Sequence, residues 1–210
     1  MKHALFASAA ILAALSLAAC NKPAGSAADN ASSTASNAAA GAGAAVNKAE
    51  DATGAAVGGA SAATTGSHDT AAFVSNASQS DMYEIQAAQI AEKRSHNPQI
   101  TAFAKMMVKD HTKSTDLMKP LVQAAGQTPA AKLDDRRQGF IDHLNSASDA
   151  DFDKTYVDQQ VAAHKEALSL MQGYAKDGSD AGLKGGAAQI APTVQMHLDK
   201  IQGIQASLKS

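Results

Sequence analysis

Three histidines and one glutamate are the residues of this sequence that could assemble a chemical site. His111 and His197 interrupt apolar stripes of helical spacing at positions where a leucine would be expected. Glu84 lies on a weaker stripe made mostly of alanine, and His164 competes with Ala163 for an inward position. An unpaired polar side chain in an apolar interior costs about 1–3 kcal/mol, so each of these groups must find a hydrogen bond, a charge partner or a metal ion.

The four residues share a height along their predicted helices. Each lies roughly 13 to 17 residues from the start of its helix, which is near mid-height at ~1.5 Å per residue. In an antiparallel bundle with neighbouring axes about 8–10 Å apart, the four side chains would meet in one layer. Three imidazoles and one carboxylate suit zinc, iron or copper better than calcium or magnesium, which prefer oxygen ligands. The sequence therefore predicts a candidate metal site at the middle of the fold.

Two other interpretations of the same residues stay open. In the first, Glu84 accepts hydrogen bonds from the histidines within a purely structural polar layer, which would fix the register of the helices. The residues that would complete that layer are Tyr83, Tyr156, Asp158 and Gln160. In the second, sulfur joins nitrogen in a copper(I) site, although methionine at helical spacing is more typical of core packing. The methionines concerned are Met107, Met118, Met171 and Met196.

Four long helices and one short helix are predicted to position these residues. Capping residues, proline and glycine mark their ends, and Pro120 predicts a bend in the second helix. The predicted bounds are 69–95, 98–126, 134–146, 148–178 and 179–208. The first and last connections are short, so the helices they join should be antiparallel neighbours. A connector of about two dozen residues, which holds the short helix, separates the two pairs. This pattern predicts an all-α fold, an antiparallel four-helix bundle of the ferritin-like kind with a long crossover between its second and third long helices.

Short stretches in each long predicted helix form a recognisable set. They are Phe73, Tyr83-Glu84-Ile85, Phe103-Ala104, Asp110-His111-Thr112, Phe152-Asp153, Gln160-Val-Ala-Ala-His164 and Ala191-Pro192 with His197-Leu198. Together they resemble the domain-of-unknown-function family 4142 over about residues 68–208. The resemblance implies a ferritin-like four-helix bundle in bacterial envelope proteins with no established activity. Di-iron sites of ferritin-like proteins use Glu-x-x-His pairs. No such pair occurs in this sequence, which disfavours ferroxidase or oxygenase chemistry.

Residues 1–19 are predicted to be a lipoprotein signal peptide. A short basic start and an apolar run precede Leu17-Ala18-Ala19-Cys20, which resembles a bacterial lipobox with Cys20 as the lipid-bearing residue. Asn21 after it implies sorting to the outer membrane, facing the periplasm. Cys20 is the only cysteine, which excludes an internal disulfide and a thiolate metal site in the folded part.

Residues 20–67 consist almost entirely of Ala, Gly, Ser, Asn and Thr, and cannot bury a core. They predict a disordered tether, followed by a bundle domain over residues 68–210. Loss of Lys2 with the signal peptide leaves 17 basic against 20 acidic residues, a net charge of −3. No basic stripe interleaved with aromatic residues indicates nucleic-acid binding. No later apolar run approaches the roughly 20 residues needed to cross a bilayer, so the membrane would be reached only through the lipid.

The function that follows from these features is a lipid-anchored, non-enzymatic role in the envelope or in stress, with an unidentified protein partner left open. The alternative is a metal-binding or redox bundle that uses Glu84, His111, His164 and His197. No nucleophile with a base and no phosphate-binding loop can be identified, so an enzymatic role is disfavoured. The remaining histidines of the mature chain fall outside the predicted helix interiors and read as solvated: His68, His96 and His143.

Overall fold

The computed structural model describes residue 66 and residues 68–209. The predicted signal peptide, Cys20 and nearly all of the predicted tether lie outside the described residues. Five α-helices and no strand make up the described part, so the prediction of an all-α fold is confirmed. They are α1 (Thr70–Arg94), α2 (Pro98–Ala124), α3 (Asp135–Ser146), α4 (Asp149–Asp177) and α5 (Ala181–Ser207). None of these helices is long and apolar enough to span a membrane.

Each of the five helices begins at a side chain that accepts a hydrogen bond from a backbone N–H of the first turn. Such a cap satisfies one of the donors that the helix itself leaves without a partner. Pro98 occupies the first turn of α2, where the missing N–H costs nothing. The capping residues are Asp69, Asn97, Asp134, Ser148 and Asp180. Local chemistry therefore accounts for where every described helix starts.

The long helices pack in a closed sequence of neighbours. The α1 helix packs on α2, α2 on α5, α5 on α4, and α4 back on α1. The short α3 helix packs on α1 and α4, where Phe140, Ile141 and Leu144 are buried. The α2 helix continues through Pro120 to Ala124.

The apolar interior is divided into two clusters along the helices. One cluster contains Phe103 and Met107 of α2, and the other contains Met118 and Val122 of the same helix. His111 falls between them on α2. In α4 and α5 the division falls at His164 and His197, with apolar residues of different clusters on either side. A polar layer thus separates two hydrophobic cores.

Candidate metal centre

The polar layer holds the three histidines that the sequence singles out. His111 on α2, His164 on α4 and His197 on α5 are 4%, 0% and 1% exposed. Ala163 is only partly buried, so His164 and not its neighbour takes the inward position. The three rings come from three separate helices, and the packing of α5 against both α2 and α4 brings them to one height.

The three imidazole rings surround a common point. Their centroids are 6.0 Å apart for His111 and His164, 5.5 Å for His111 and His197, and 5.6 Å for His164 and His197. One potential ligand atom from each ring lies within 4.8 Å of those from the other two. Metal-bound imidazoles with bonds of about 2.0–2.1 Å in tetrahedral geometry have nitrogens about 3.3 Å apart. Binding of a metal ion would therefore require the three ligand nitrogens to approach one another by about an ångström.

Hydrogen bonds to one nitrogen of each ring determine which nitrogen carries the proton when the ring is neutral. The Nδ1 atom of His111 lies 2.8 Å from Asp81 Oδ1, and His197 Nε2 lies 3.1 Å from Asp110 Oδ2. His164 Nδ1 lies 2.8 Å from the backbone oxygen of Gln160. Carboxylate and carbonyl oxygens accept hydrogen bonds, so these three nitrogens must be the N–H donors.

The opposite nitrogen of each ring then presents a lone pair to the interior. These atoms are His111 Nε2, His164 Nε2 and His197 Nδ1, and each is buried without a hydrogen-bond partner. An imidazole that donates through one nitrogen and offers the other is the usual arrangement of a metal-ligating histidine. These three imidazoles therefore fit a transition-metal ion.

Glu84 on α1 is completely buried beside this set. Its Oε1 atom lies 3.7 Å from His164 Nδ1, and neither carboxylate oxygen makes a hydrogen bond of normal geometry. Across residues 68–209, Glu84 does not join the group of ligand atoms that lie within 4.8 Å of one another. The structure thus brings together three of the four residues predicted from the sequence as ligands and puts the carboxylate next to them, on the Nδ1 side of His164.

Burial and charge shift the pKa values of the layer in different directions. Burial raises the pKa of Glu84 to about 7, against a smaller lowering by the charge of His111. Burial lowers the pKa of His164 to about 3, helped by the charge of His111. Burial also lowers the pKa of His197, which the hydrogen bond that His197 donates to Asp110 only partly offsets. Neutral imidazoles are the form that binds a metal ion.

His111 behaves differently from the other two histidines. Burial acts to lower its pKa, but the hydrogen bond and the negative charge of Asp81 outweigh it, and the net pKa is raised. His111 is therefore the ring on which a proton competes with a metal ion. A metal ion that bound the three rings would have to displace a proton from His111 wherever that ring is charged.

The sequence model of a family described as a domain of unknown function (DUF4142) matches residues 55–204. The chain belongs to this family. No curated protein matches the chain, and no solved structure matches it. The matched range begins within the predicted tether and includes all four predicted site residues. For this DUF4142 member the family description assigns no activity, so the chemistry must be argued from the layer itself.

Two of the residues considered for a structural polar layer make hydrogen bonds to residues other than the four predicted ligands. The hydroxyl of Tyr83 donates to Gln159 Oε1 at 3.1 Å, and Asp158 Oδ1 accepts from Gln205 at 2.8 Å. Tyr156 and Gln160 do adjoin the layer beside Glu84, but neither the Tyr156 hydroxyl nor the Gln160 side-chain amide makes a hydrogen bond of normal geometry. Burial raises the pKa of Tyr156 further above its ordinary value of 10.

The methionines considered for a copper(I) site lie in the apolar clusters or at the surface of this DUF4142 chain. Met107, Met118 and Met171 are buried in the two clusters, and Met196 is 46% exposed.

Asp81 and Asp110 are the functional residues that the sequence analysis missed. Each accepts a hydrogen bond from a histidine of the site. Their helices carry many other polar side chains, so the local sequence gives no reason to single out these two acids. Asp110 precedes His111 within the Asp-His-Thr motif, and Asp81 lies three residues before Glu84, so helical spacing could have placed each near the layer. The spacing does not say which histidine each would contact.

Proposed function

We propose that this protein binds a transition-metal ion through the imidazoles of His111, His164 and His197, with Glu84 as a neighbouring carboxylate. One observation carries the proposal: three buried imidazoles from separate helices bring one nitrogen each to within 4.8 Å of the others, and each ring has one buried nitrogen without a hydrogen-bond partner. Zinc, copper and iron are the ions that imidazole ligands suit. The carboxylate supplies negative charge next to the cation and can become a fourth ligand if its side chain turns toward it.

The structural polar layer is the competing interpretation, and hydrogen bonding argues against it. In the described part of the chain, every buried side-chain nitrogen or oxygen without a partner belongs to this one layer. A layer whose purpose is to fix helix register should satisfy its own polar groups, since each unsatisfied group costs about 1–3 kcal/mol. The buried side-chain atoms without a partner number eight, and they belong to Glu84, His111, Tyr156, Gln160, His164 and His197. An ion bound by the three imidazoles would remove the deficit at their nitrogens.

The setting that we propose for this site is an antiparallel, ferritin-like four-helix bundle held at the outer membrane. The closed order of helix neighbours and the crossover through α3 support the bundle. The lipobox at Leu17-Ala18-Ala19-Cys20 and Asn21 after it support a lipid anchor on Cys20 that faces the periplasm. A site whose residues are at most 4% exposed has little room for an organic substrate. We therefore propose a metal-binding or redox role in the envelope without a catalysed reaction.

Metal content of the full-length protein tests this function. The protein is purified without chelator, reconstituted with zinc, iron or copper in turn, and analysed for bound metal and for its melting temperature. A Cys20→Ser version is measured alongside, so that metal held by a free thiol is recognised. We expect stoichiometric metal, and a stabilisation of about 2.7 kcal/mol when free metal reaches a hundred times the dissociation constant.

Single-histidine variants assign the metal to the layer. His111→Ala and His197→Ala each remove one of three ligands and should abolish stoichiometric binding. His96 is exposed and distant in sequence from the layer, so His96→Ala is the matched control and should bind as the wild type does. Absence of metal after all three reconstitutions, or equal metal in the layer variants and the control, would overturn the proposal.

A further inference from the structure

Two carboxylates outside the proposed ligand set hold two of the three imidazoles. Asp81 Oδ1 accepts from His111 Nδ1 at 2.8 Å, and its Oδ2 atom accepts from the Thr115 hydroxyl at 3.0 Å. Asp110 Oδ2 accepts from His197 Nε2 at 3.1 Å. The side chains of Asp81 and Asp110 are only 13% and 22% exposed, so water screens their charges incompletely.

These two contacts have a geometric consequence for the site. A neutral imidazole exists as two tautomers, and the hydrogen bond at one nitrogen selects between them. Asp81 requires the proton of His111 on Nδ1, and Asp110 requires the proton of His197 on Nε2. The nitrogens that remain bare are His111 Nε2 and His197 Nδ1, and both are buried, as His164 Nε2 is. Loss of either carboxylate would let a ring turn or change tautomer, and the three lone pairs would no longer converge.

The same contacts have an electrostatic consequence. A carboxylate that accepts from a ligating imidazole makes the ring a stronger electron donor and adds negative charge on the far side of the ring from the ion. Such a charge attracts a doubly charged ion about twice as strongly as a singly charged one. Lys200 acts on His197 in the opposite sense, but more weakly than Asp110 does.

We infer that Asp81 and Asp110 are positioning residues that give the centre a preference for divalent ions, such as Zn(II) and Cu(II), over monovalent Cu(I). The inference rests on the proposed function, because it concerns the selectivity of the same three imidazoles. Asp81 and Asp110, which the sequence analysis did not identify, would then determine which ion charge the centre prefers.

The tautomers can be tested without any metal. Imidazole ¹⁵N spectra of the chelator-treated, full-length protein, recorded at increasing pH until the His111 ring, whose pKa is raised, is neutral, should show the proton of His111 on Nδ1 and that of His197 on Nε2. Asp81→Ala should give a mixture of tautomers at His111 and leave His197 unchanged, and Asp110→Ala should do the reverse. The opposite tautomers in the wild type would overturn the positioning role whether or not the protein binds metal.

The charge preference is tested with Zn(II), Cu(II) and Cu(I), using Asp81→Asn and Asp110→Asn. Asparagine keeps an acceptor oxygen and loses the charge, and Asp116 on the exposed face of α2 gives the matched control Asp116→Asn. We expect each of the two variants to lose about 10- to 100-fold in affinity for Zn(II) and Cu(II). Affinity for Cu(I) should fall several-fold less. Each tenfold loss of Cu(II) relative to Cu(I) raises the copper reduction potential by about 59 mV.

The outcomes separate this inference from the proposed function. The preference would be overturned if the wild type binds these ions and Asp81→Asn and Asp110→Asn bind them as Asp116→Asn does. It would also be overturned if the two variants lose the same fraction of their affinity for Cu(I) and for Cu(II). In both cases the metal site itself would stand. A wild type that binds none of the three ions would overturn the metal site and the preference with it. Circular dichroism of each variant shows whether the fold is intact, and Asp110→Asn, at the more exposed position, provides a second test if Asp81→Asn does not fold.

Discussion

Replacement of Glu84 by glutamine should stabilise the metal-free protein, and the gain should depend on pH. Glu84 is completely buried, and burial raises its pKa from 4.5 to about 7. Above pH 7 the folded protein must hold an ionised carboxylate in the layer, whereas the unfolded chain holds it in water. Below pH 4.5 the carboxyl is protonated in both states and the penalty is absent. Glutamine has nearly the same shape and is neutral at every pH, so it removes the penalty.

The size of the effect follows from the shift in pKa. A pKa difference of about 2.5 units corresponds to roughly 3 kcal/mol, since each unit is worth about 1.4 kcal/mol. Glu84→Gln should therefore raise the free energy of unfolding by about 3 kcal/mol at pH 8 and by less than about 1 kcal/mol at pH 5. Addition of metal should reverse the order of the two proteins, because the wild-type carboxylate balances the charge of the ion.

Urea unfolding of the chelator-treated protein at pH 5 and pH 8 measures this difference. Glu92 is exposed on the same helix, so Glu92→Gln is the matched control and should change stability by less than about 0.5 kcal/mol at either pH. If Glu84→Gln shifts stability by the same amount at both pH values, or lowers it more at pH 8, Glu84 does not carry a burial penalty and the electrostatic description of the layer is wrong.

Two further predictions concern the same layer and the packing of α5. In a Glu84→Gln background, the free energy of unfolding of the metal-free protein should fall as the pH drops below about 6.5. His164 becomes protonated there in the unfolded chain but stays neutral in the folded chain, where burial lowers its pKa to about 3. A free energy that does not change between pH 7 and pH 4, measured by urea unfolding, would exclude a neutral, buried His164. Gly186→Ala should be less stable than Gly185→Ala, since its Cβ would meet two side chains of α2 at 2.7 and 2.8 Å and those side chains would have to shift. Gly185→Ala, with nothing within 4 Å of its Cβ, should stabilise by up to about 1 kcal/mol; equal melting temperatures would refute the packing argument.

The helices could be predicted closely because their ends depend on neighbouring residues in the chain. Asn97 followed by Pro98 marks the start of α2, and Ser148 with Asp151 marks the start of α4. These signals act over three or four residues, and no tertiary contact is needed to read them. The predicted start of the fourth long helix, at about Ser179, lies two residues before the observed start at Ala181. The structure uses Asp180, which accepts from the backbone N–H of Leu183.

The candidate site could be predicted only in part, because it depends on how separate helices are rotated against one another. His111 and His197 were identifiable since each interrupts a strong apolar stripe. The α1 stripe is mostly alanine, which leaves the rotation of that helix poorly defined by sequence. Asp81, a buried residue on that helix, was therefore not recognised as the partner of His111. The contact between Asp110 and His197 joins residues 87 positions apart, and helical periodicity carries no information on such pairs.

The place of the polar layer within the core explains why metal binding would matter for the whole fold. The layer separates two hydrophobic clusters, and apolar packing across it is replaced by imidazoles and a carboxylate. A lone polar layer weakens the packing between helices relative to an apolar one. An ion bound by His111, His164 and His197 would join α2, α4 and α5 at the level where apolar packing is interrupted. Occupancy of the site would then govern how firmly the two clusters are held together, which would give the protein a means of responding to metal.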